Sequence, residues 1–249
     1  VLFDDDAKRE STWGTPLRIL LIVFVFAFGF LYYYFGPSLN ELQGNRPEAS
    51  AVTTPVAIII GGQKFVIPEN FTQFPRARRG GARENVALYA MLPGYKPYTL
   101  ANELTFESNE PDSPIIHFQL ESIRSPFDEE DRIKRVYLPS VADTKGERAL
   151  YGLTHYQFLD GSGYQDHDLY IGLDALGHRA ALTCGKNVQN ILPSSCRRHT
   201  WLTNKVMLNY RFKRSRLKDW KEIDSGVREL ALSFLREDTV NASETEPSQ

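Results

Sequence analysis

Residues 17–35, LRILLIVFVFAFGFLYYYF, constrain this chain more than any other stretch. An apolar run of that length spans the roughly 30 Å hydrocarbon core of a bilayer as a helix rising 1.5 Å per residue. Its Leu, Ile, Val and Phe side chains together favour insertion by about 4 to 8 kcal/mol. Arg18 sits at the edge, where its stem allows the charge to reach the interface. Trp13 precedes the run and Tyr32, Tyr33 and Tyr34 end it, the positions of an aromatic belt. A buried core helix is the competing reading, but such helices rarely go so long without a polar residue.

The flanks give an orientation. Lys8, Arg9 and Arg18 lie at or before the start of the run, and Arg46 is the first basic residue after it. The positive-inside rule then places the N-terminus in the cytoplasm and everything after Gly36 outside; Asp4, Asp5 and Asp6 count for little in that rule. A cleaved signal peptide is the rival. No small-x-small site closely follows the run, and Ala49-Ser50-Ala51 lies too far downstream, which favours an uncleaved anchor.

The organisation expected is a cytoplasmic tail at 1–16, a transmembrane anchor at 17–35, a Pro/Gly-containing tether at 36–54, a folded domain at 55–236 and a polar, acidic, disordered tail at 237–249. The domain is long enough for a real core. A formal net charge of −2 gives no reason to expect a nucleic-acid partner.

Within the domain the hydrophobic period is two almost throughout. Residues 56–60 and 63–67 flank Gly61-Gly62 and predict a β-hairpin. Residues 115–123 place Ile116, Phe118 and Leu120 on one face and His117, Gln119 and Glu121 on the other. Further strands are predicted at 86–92, 151–159, 169–173, 179–184, 198–202 and 206–212, and the charged stretch 128–135 reads as a short helix or loop. The period then changes to about 3.5. Leu217, Trp220, Ile223, Val227, Leu230 and Phe234 mark an amphipathic helix over 217–235. Strands first and a closing helix last predict an α+β domain: an antiparallel sheet closed by a C-terminal amphipathic helix.

Cys184 and Cys196, both on the predicted outer side, fit one disulfide closing a short loop, worth about 3 kcal/mol by chain entropy. A zinc site would need more ligands, and His199 is the only histidine nearby. Asp160, Asp166, His167 and Asp168 form the best local cluster for acid–base or metal chemistry. Their spacing departs from the calcium-loop pattern, and aspartates beside glycines are ordinary turn formers. His117 and His155 lie on strand patterns. The sequence contains no GxSxG, HExxH or GxxxxGK[ST], so no cofactor is expected. Two basic stretches stand out: 76–83, with Arg76, Arg78, Arg79 and Arg83 around Gly80-Gly81, and 211–218, with Arg211, Lys213, Arg214 and Arg216, which lies between the last strand and the helix and is expected to be exposed. Either reads as solvated surface, or as a contact for an acidic protein, anionic lipid head groups or a cell-wall polymer.

The segments GGQKFVIPENF, RRGGARENVALYAMLPGY, GSGYQDHDLYIG and YRFKRSRLKDWKEID, spread over most of 55–235, resemble membrane-anchored proteins of alphaproteobacteria. That resemblance implies a bacterial inner-membrane protein with a periplasmic domain and carries no activity with it. Two functions stand: a membrane-anchored interaction or accessory module of an envelope complex, bound to lipid through its anchor and to a protein partner, and a periplasmic hydrolase using the Asp/His cluster at 160–168.

Overall fold

In the computed structural model, which describes residues 14–36, 38–124, 127–186 and 194–236, the apolar run forms α1 (Gly14–Phe35). Twenty-two residues make it about 33 Å long. Among the described residues it is the one helix long and apolar enough to cross a membrane, and its span is nowhere buried. The expectations for Lys8, Arg9 and Trp13, for 187–193 inside the cysteine loop, and for 237–249 lie outside the described residues. Contacts divide the chain at Asn45. In the first unit, α2 (Leu39–Leu42) starts at a reciprocal cap: Ser38 N–H donates to Glu41 Oε2 and Glu41 N–H to Ser38 Oγ.

The second unit is built of strands. β1 (Pro55–Ile60) and β2 (Gln63–Pro68) form the predicted hairpin, with Ile60 opposite Gln63. Both turn residues have positive φ, 56° at Gly61 and 76° at Gly62, as a two-residue hairpin turn demands. A 3-10 turn (Pro75–Arg79) leads to β3 (Gly81–Ala82), which pairs parallel with β1. Then follow β4 (Asn85–Met91), β5 (Ile115–Ser122), β6 (Glu147–Arg148), β7 (Leu153–Gln157), β8 (His167–Leu173), β9 (Arg179–Gly185), β10 (Ser195–Trp201) and β11 (Val206–Lys213). These eight form one antiparallel sheet in the order β4-β5-β11-β10-β9-β8-β7-β6. The charged stretch becomes α4 (Glu129–Arg132), after the short α3 (Glu103–Glu107), and continues as a wider turn to Tyr137.

The closing helix is shorter than its periodicity predicts. Residues 214–219 form a 3-10 turn, so Leu217 precedes the helix proper, α5 (Trp220–Ser233). Phe234 follows it, and the chain returns as β12 (Leu235–Arg236) to the edge of a second sheet, β12-β2-β1-β3. Trp220, Ile223, Val227 and Phe234 are buried, and Leu230 is half-buried. With Ile58, Ile60, Phe65 and Ile67 of the hairpin they pack on Leu88, Phe118, Leu120, Leu208 and Tyr210 of the large sheet. Alternation in these strands thus supplies an apolar face, and α5 and the small sheet together cover it. A separate cluster, Ile133, Tyr137, Val141, Phe158, Leu169 and Ile171, covers the opposite face at β7–β9 only. The chain is α+β with a mostly antiparallel sheet, as expected.

Cys184 and Cys196 are bonded, with Cα atoms 3.9 Å apart. They face each other in register across β9 and β10, which pair only there and at Thr183–Arg197. Beyond that rung the strands separate, and the gap is filled by Arg198. Its side chain is 1% exposed. Nε donates to Glu129 Oε1 at 2.9 Å, and Nη2 to Glu129 Oε2 at 2.8 Å and Asp174 Oδ2 at 3.0 Å. Nη1 pairs with Asp224 Oδ1 at 2.6 Å, and Tyr210 Oη–H donates to the same oxygen at 2.9 Å. Glu129 Oε1 also accepts from Ala181 N–H at 2.9 Å, so a carboxylate satisfies a β9 amide on the side where the ladder has opened.

Candidate functional site

The second face of the large sheet is covered at β7–β9 by 129–141 and at one end of β4–β5 by Tyr89, Tyr98, Phe106 and Ile115. Between these covers, β5, β11 and β10 present their outward residues to a groove of about 370 Å³, with Gln73 and Phe74 on its wall. Register sets its content. Arg197 lies opposite Arg211, and Arg211 opposite His117; one rung on, His199, Asn209 and Gln119 are aligned. Period-two alternation puts Phe118, Tyr210 and Arg198 inward and leaves these polar neighbours outward.

Two linked residues order part of the groove. The His199 ring Nδ1–H donates to Asn209 Oδ1 at 2.5 Å, and Asn209 Nδ2–H donates to Glu121 Oε2 at 3.2 Å. Arg132 Nη1 caps the His199 carbonyl at 3.2 Å. Burial lowers the His199 pKa; the Asn209 bond opposes this, and the charges of Arg132 and Arg197 add to it. His117 is pushed down to about 4, first by burial and then by the charges of Arg211 and Lys213. Its Nδ1 is buried without a partner among the described residues. Because its folded value lies below the ordinary 6.5, the folded state binds fewer protons between the two. Stability is therefore complete above pH 6.5 and falls by on the order of 3 kcal/mol as pH drops towards 4. Urea unfolding of wild type and His117→Gln at pH 7 and 4.5 checks this: the variant should lose distinctly less stability on acidification.

The first basic stretch stands beside this groove. The Arg76 guanidinium lies 5.3 Å from the centroid of Phe74, the wall residue. Arg76 and Arg79 are exposed. Arg78 is tied down: Nε donates to Thr72 Oγ1 at 3.1 Å and Nη2 to the Glu48 carbonyl. Arg83 donates to the Arg76 carbonyl, and burial, then the Arg76 and Arg79 charges, lower its pKa.

In the second basic stretch Arg211 and Lys218 are exposed, while Lys213, Arg214 and Arg216 are half-buried and engaged by other segments. Lys213 Nζ donates to Asn109 Oδ1 at 2.6 Å, and Arg216 donates to the carbonyls of Ser113 and Asp112 at 3.2 and 2.8 Å. Arg214 donates to the Gly185 carbonyl at 2.7 Å and Tyr170 Oη at 2.8 Å and pairs with Asp168 at 2.7 Å. These cations hold the 109–113 loop and β8–β9 in place.

The acidic cluster is not gathered into a site. Asp160, Asp166 and His167 are exposed, whereas Asp168 is held between Arg214 and His155, whose Nε2 is 3.3 Å from its Oδ1. Among the described residues no group of three or more His, Cys, Asp or Glu side chains could hold a metal ion. In the sequence Arg211 opens the second basic stretch, Asn209 shares its outward phase and His199 stands only as a lone zinc candidate; neither Arg197 nor the pairing that groups these four residues is evident there. The signal available was their shared outward phase on the two strands that straddle the turn at 203–205.

No protein-family model matches the chain, and no curated protein matches it. Among solved structures, the chain is similar to Smlt3025, an immunity protein of the Stenotrophomonas maltophilia type IV secretion system. The identity is 17% over 74% of this chain and 94% of that one, with a TM-score of 0.53. FrpD, an iron-regulated outer membrane lipoprotein of Neisseria meningitidis, aligns at 14% identity over 77% and 97% of the two chains, with a TM-score of 0.49. At that identity the likeness to Smlt3025 is one of fold alone.

Proposed function

We propose that the chain is a single-pass protein of the bacterial inner membrane, with its N-terminus in the cytoplasm and its β-rich unit in the periplasm. There the folded unit binds a protein partner, as an interaction or accessory module of an envelope complex. The observation that carries this reading is the groove over β5, β11 and β10, edged by cations, which the covers at β7–β9 and at one end of β4–β5 leave open among the described residues. The N-terminal apolar helix would tether the folded unit among membrane partners and raise their effective concentration. The fold shared with an immunity protein supports an interaction role, and the resemblance to membrane-anchored proteins of alphaproteobacteria agrees with the location.

The native cysteines are bonded to each other, so an introduced cysteine is the one free thiol. Gln119→Cys in the groove and Lys64→Cys on β2 would be treated, in cells with a permeabilised outer membrane, with a membrane-impermeant maleimide carrying a photo-crosslinker. Labelling at both positions, with a discrete crosslinked partner from position 119 alone, is the expected result. Failure to label either would reverse the orientation. Labelling without capture at 119, or equal capture at 64, would defeat the interaction reading.

A further inference from the structure

We propose that Arg197 and Arg211 form a carboxylate-binding site that takes Asp or Glu side chains from an acidic segment of a protein partner. This rests on the interaction reading above and adds the chemistry. The two arginines are directly opposed on β10 and β11, so their Cβ atoms are about 5 Å apart and their like charges repel. Three other arginines of this fold are held by the chain itself: Arg198 by three carboxylates, Arg214 by Asp168 and Tyr170, and Arg78 by Glu48 and Thr72. Among the described residues neither Arg197 nor Arg211 has a hydrogen bond or ion pair through its guanidinium. The acidic side chain nearest in register, Glu121, is two rungs along β5 from the Arg211–His117 rung and is bonded to Asn209.

Two adjacent planar forks without an internal counter-charge suit carboxylates, each of which accepts paired N–H donors. Charge complementarity therefore selects an anion. The groove is a shallow channel across three strands, walled by Gln73 and Phe74 and continued by Arg76. That shape suits an extended acidic segment better than an enclosed small molecule. Repulsion kept in the free protein and relieved on binding is a functional arrangement, so its removal should not weaken the fold.

The full chain in detergent micelles would be titrated into fluorescein-labelled hexaglutamate at low salt and followed by anisotropy, with hexaglutamine and inorganic phosphate as competitors. Hexaglutamate should bind and hexaglutamine should not compete. Arg197→Gln with Arg211→Gln should weaken binding about tenfold or more, while Lys64→Gln leaves it unchanged. The double variant should melt at the wild-type temperature or above; if it melts lower, Arg211→Gln alone carries the comparison. Absent hexaglutamate binding, or binding indifferent to these substitutions, overturns the proposal. Efficient displacement by phosphate reassigns the site to phosphate and overturns the carboxylate assignment. If hexaglutamate fails while the position-119 crosslinker still captures a partner, only the chemistry falls; if both fail, the interaction reading falls with it.

Discussion

Replacing Arg198 by methionine is expected to destabilise the folded unit by about 3–5 kcal/mol at neutral pH. The substitution roughly keeps volume and removes the cation. Glu129, Asp174 and Asp224 are all at most a tenth exposed, and they would then face one another without a counter-charge. The carboxylates would then draw solvent in from the adjoining cavity of about 490 Å³, which Glu129, Asp174 and Arg198 line, or repel one another across the opened strands. Burial pushes the Asp174 carboxyl up, but the Arg198 hydrogen bond, the His178 amide, the Arg198 charge and the Leu176 amide together hold it below the ordinary carboxylate value. Its contribution in the wild type is therefore present above that value and lost on acidification through the lower folded one. Without Arg198 the burial effect is unopposed by a cation and the sign reverses. Measured against wild type at the same pH, the variant's deficit should shrink between pH 7 and 5, with the His117 contribution common to both. Urea unfolding of the full chain in micelles at both pH values measures this, and a loss under about 1 kcal/mol, or a deficit that does not shrink in acid, would contradict it.

Trp220→Ala should cost a similar amount, about 3–5 kcal/mol, for a different reason. Trp220 is 1% exposed at the first turn of α5, and its indole N–H donates to the Tyr151 carbonyl at 3.1 Å. Its ring packs over Gly172 so closely that a Cβ there would come within 3.1 Å of it and 2.8 Å of Leu153. Truncation leaves a void that the sheet cannot close, because β8 is paired on both sides and already lacks a side chain at that point. Trp220→Phe should recover most of the apolar term but not the hydrogen bond, leaving about 1–2 kcal/mol. Gly172→Ala in the wild type should destabilise through the opposite fault, overpacking. Thermal and urea melts of the three variants rank them, and Trp220→Phe as damaging as Trp220→Ala would show that the void is not the main term.

Much of this fold was legible because short-range pattern decides it. Alternation in 115–122 and 206–213 fixes which side chains point inward whatever the partners are, and Gly61-Gly62 can only be a tight turn between two such runs. The change of period at Trp220 announces the closing helix. Its start was misplaced by three residues because Leu217 keeps the helical phase while sitting in a 3-10 turn. Asp224 also lies in the buried stripe with Trp220, Val227 and Ala231, and Arg198 lies in phase with buried Cys196. Two inward-facing opposite charges in segments far apart were therefore visible as a pair of anomalies, though not as a pair of partners.

The sequence by itself determined the apolar helix, the alternation of strands, the single disulfide and the α+β class, since each follows from hydrophobic period, turn chemistry or cysteine count. Tertiary structure alone decided which cations are available. Lys213, Arg214 and Arg216 look as solvated in sequence as Arg197 and Arg211. Yet loop 109–113 and Asp168 engage the first three, while strand register sets the other two face to face in an open groove. Charge is a local property of a residue. Whether that charge is neutralised depends on which distant segment folds against it.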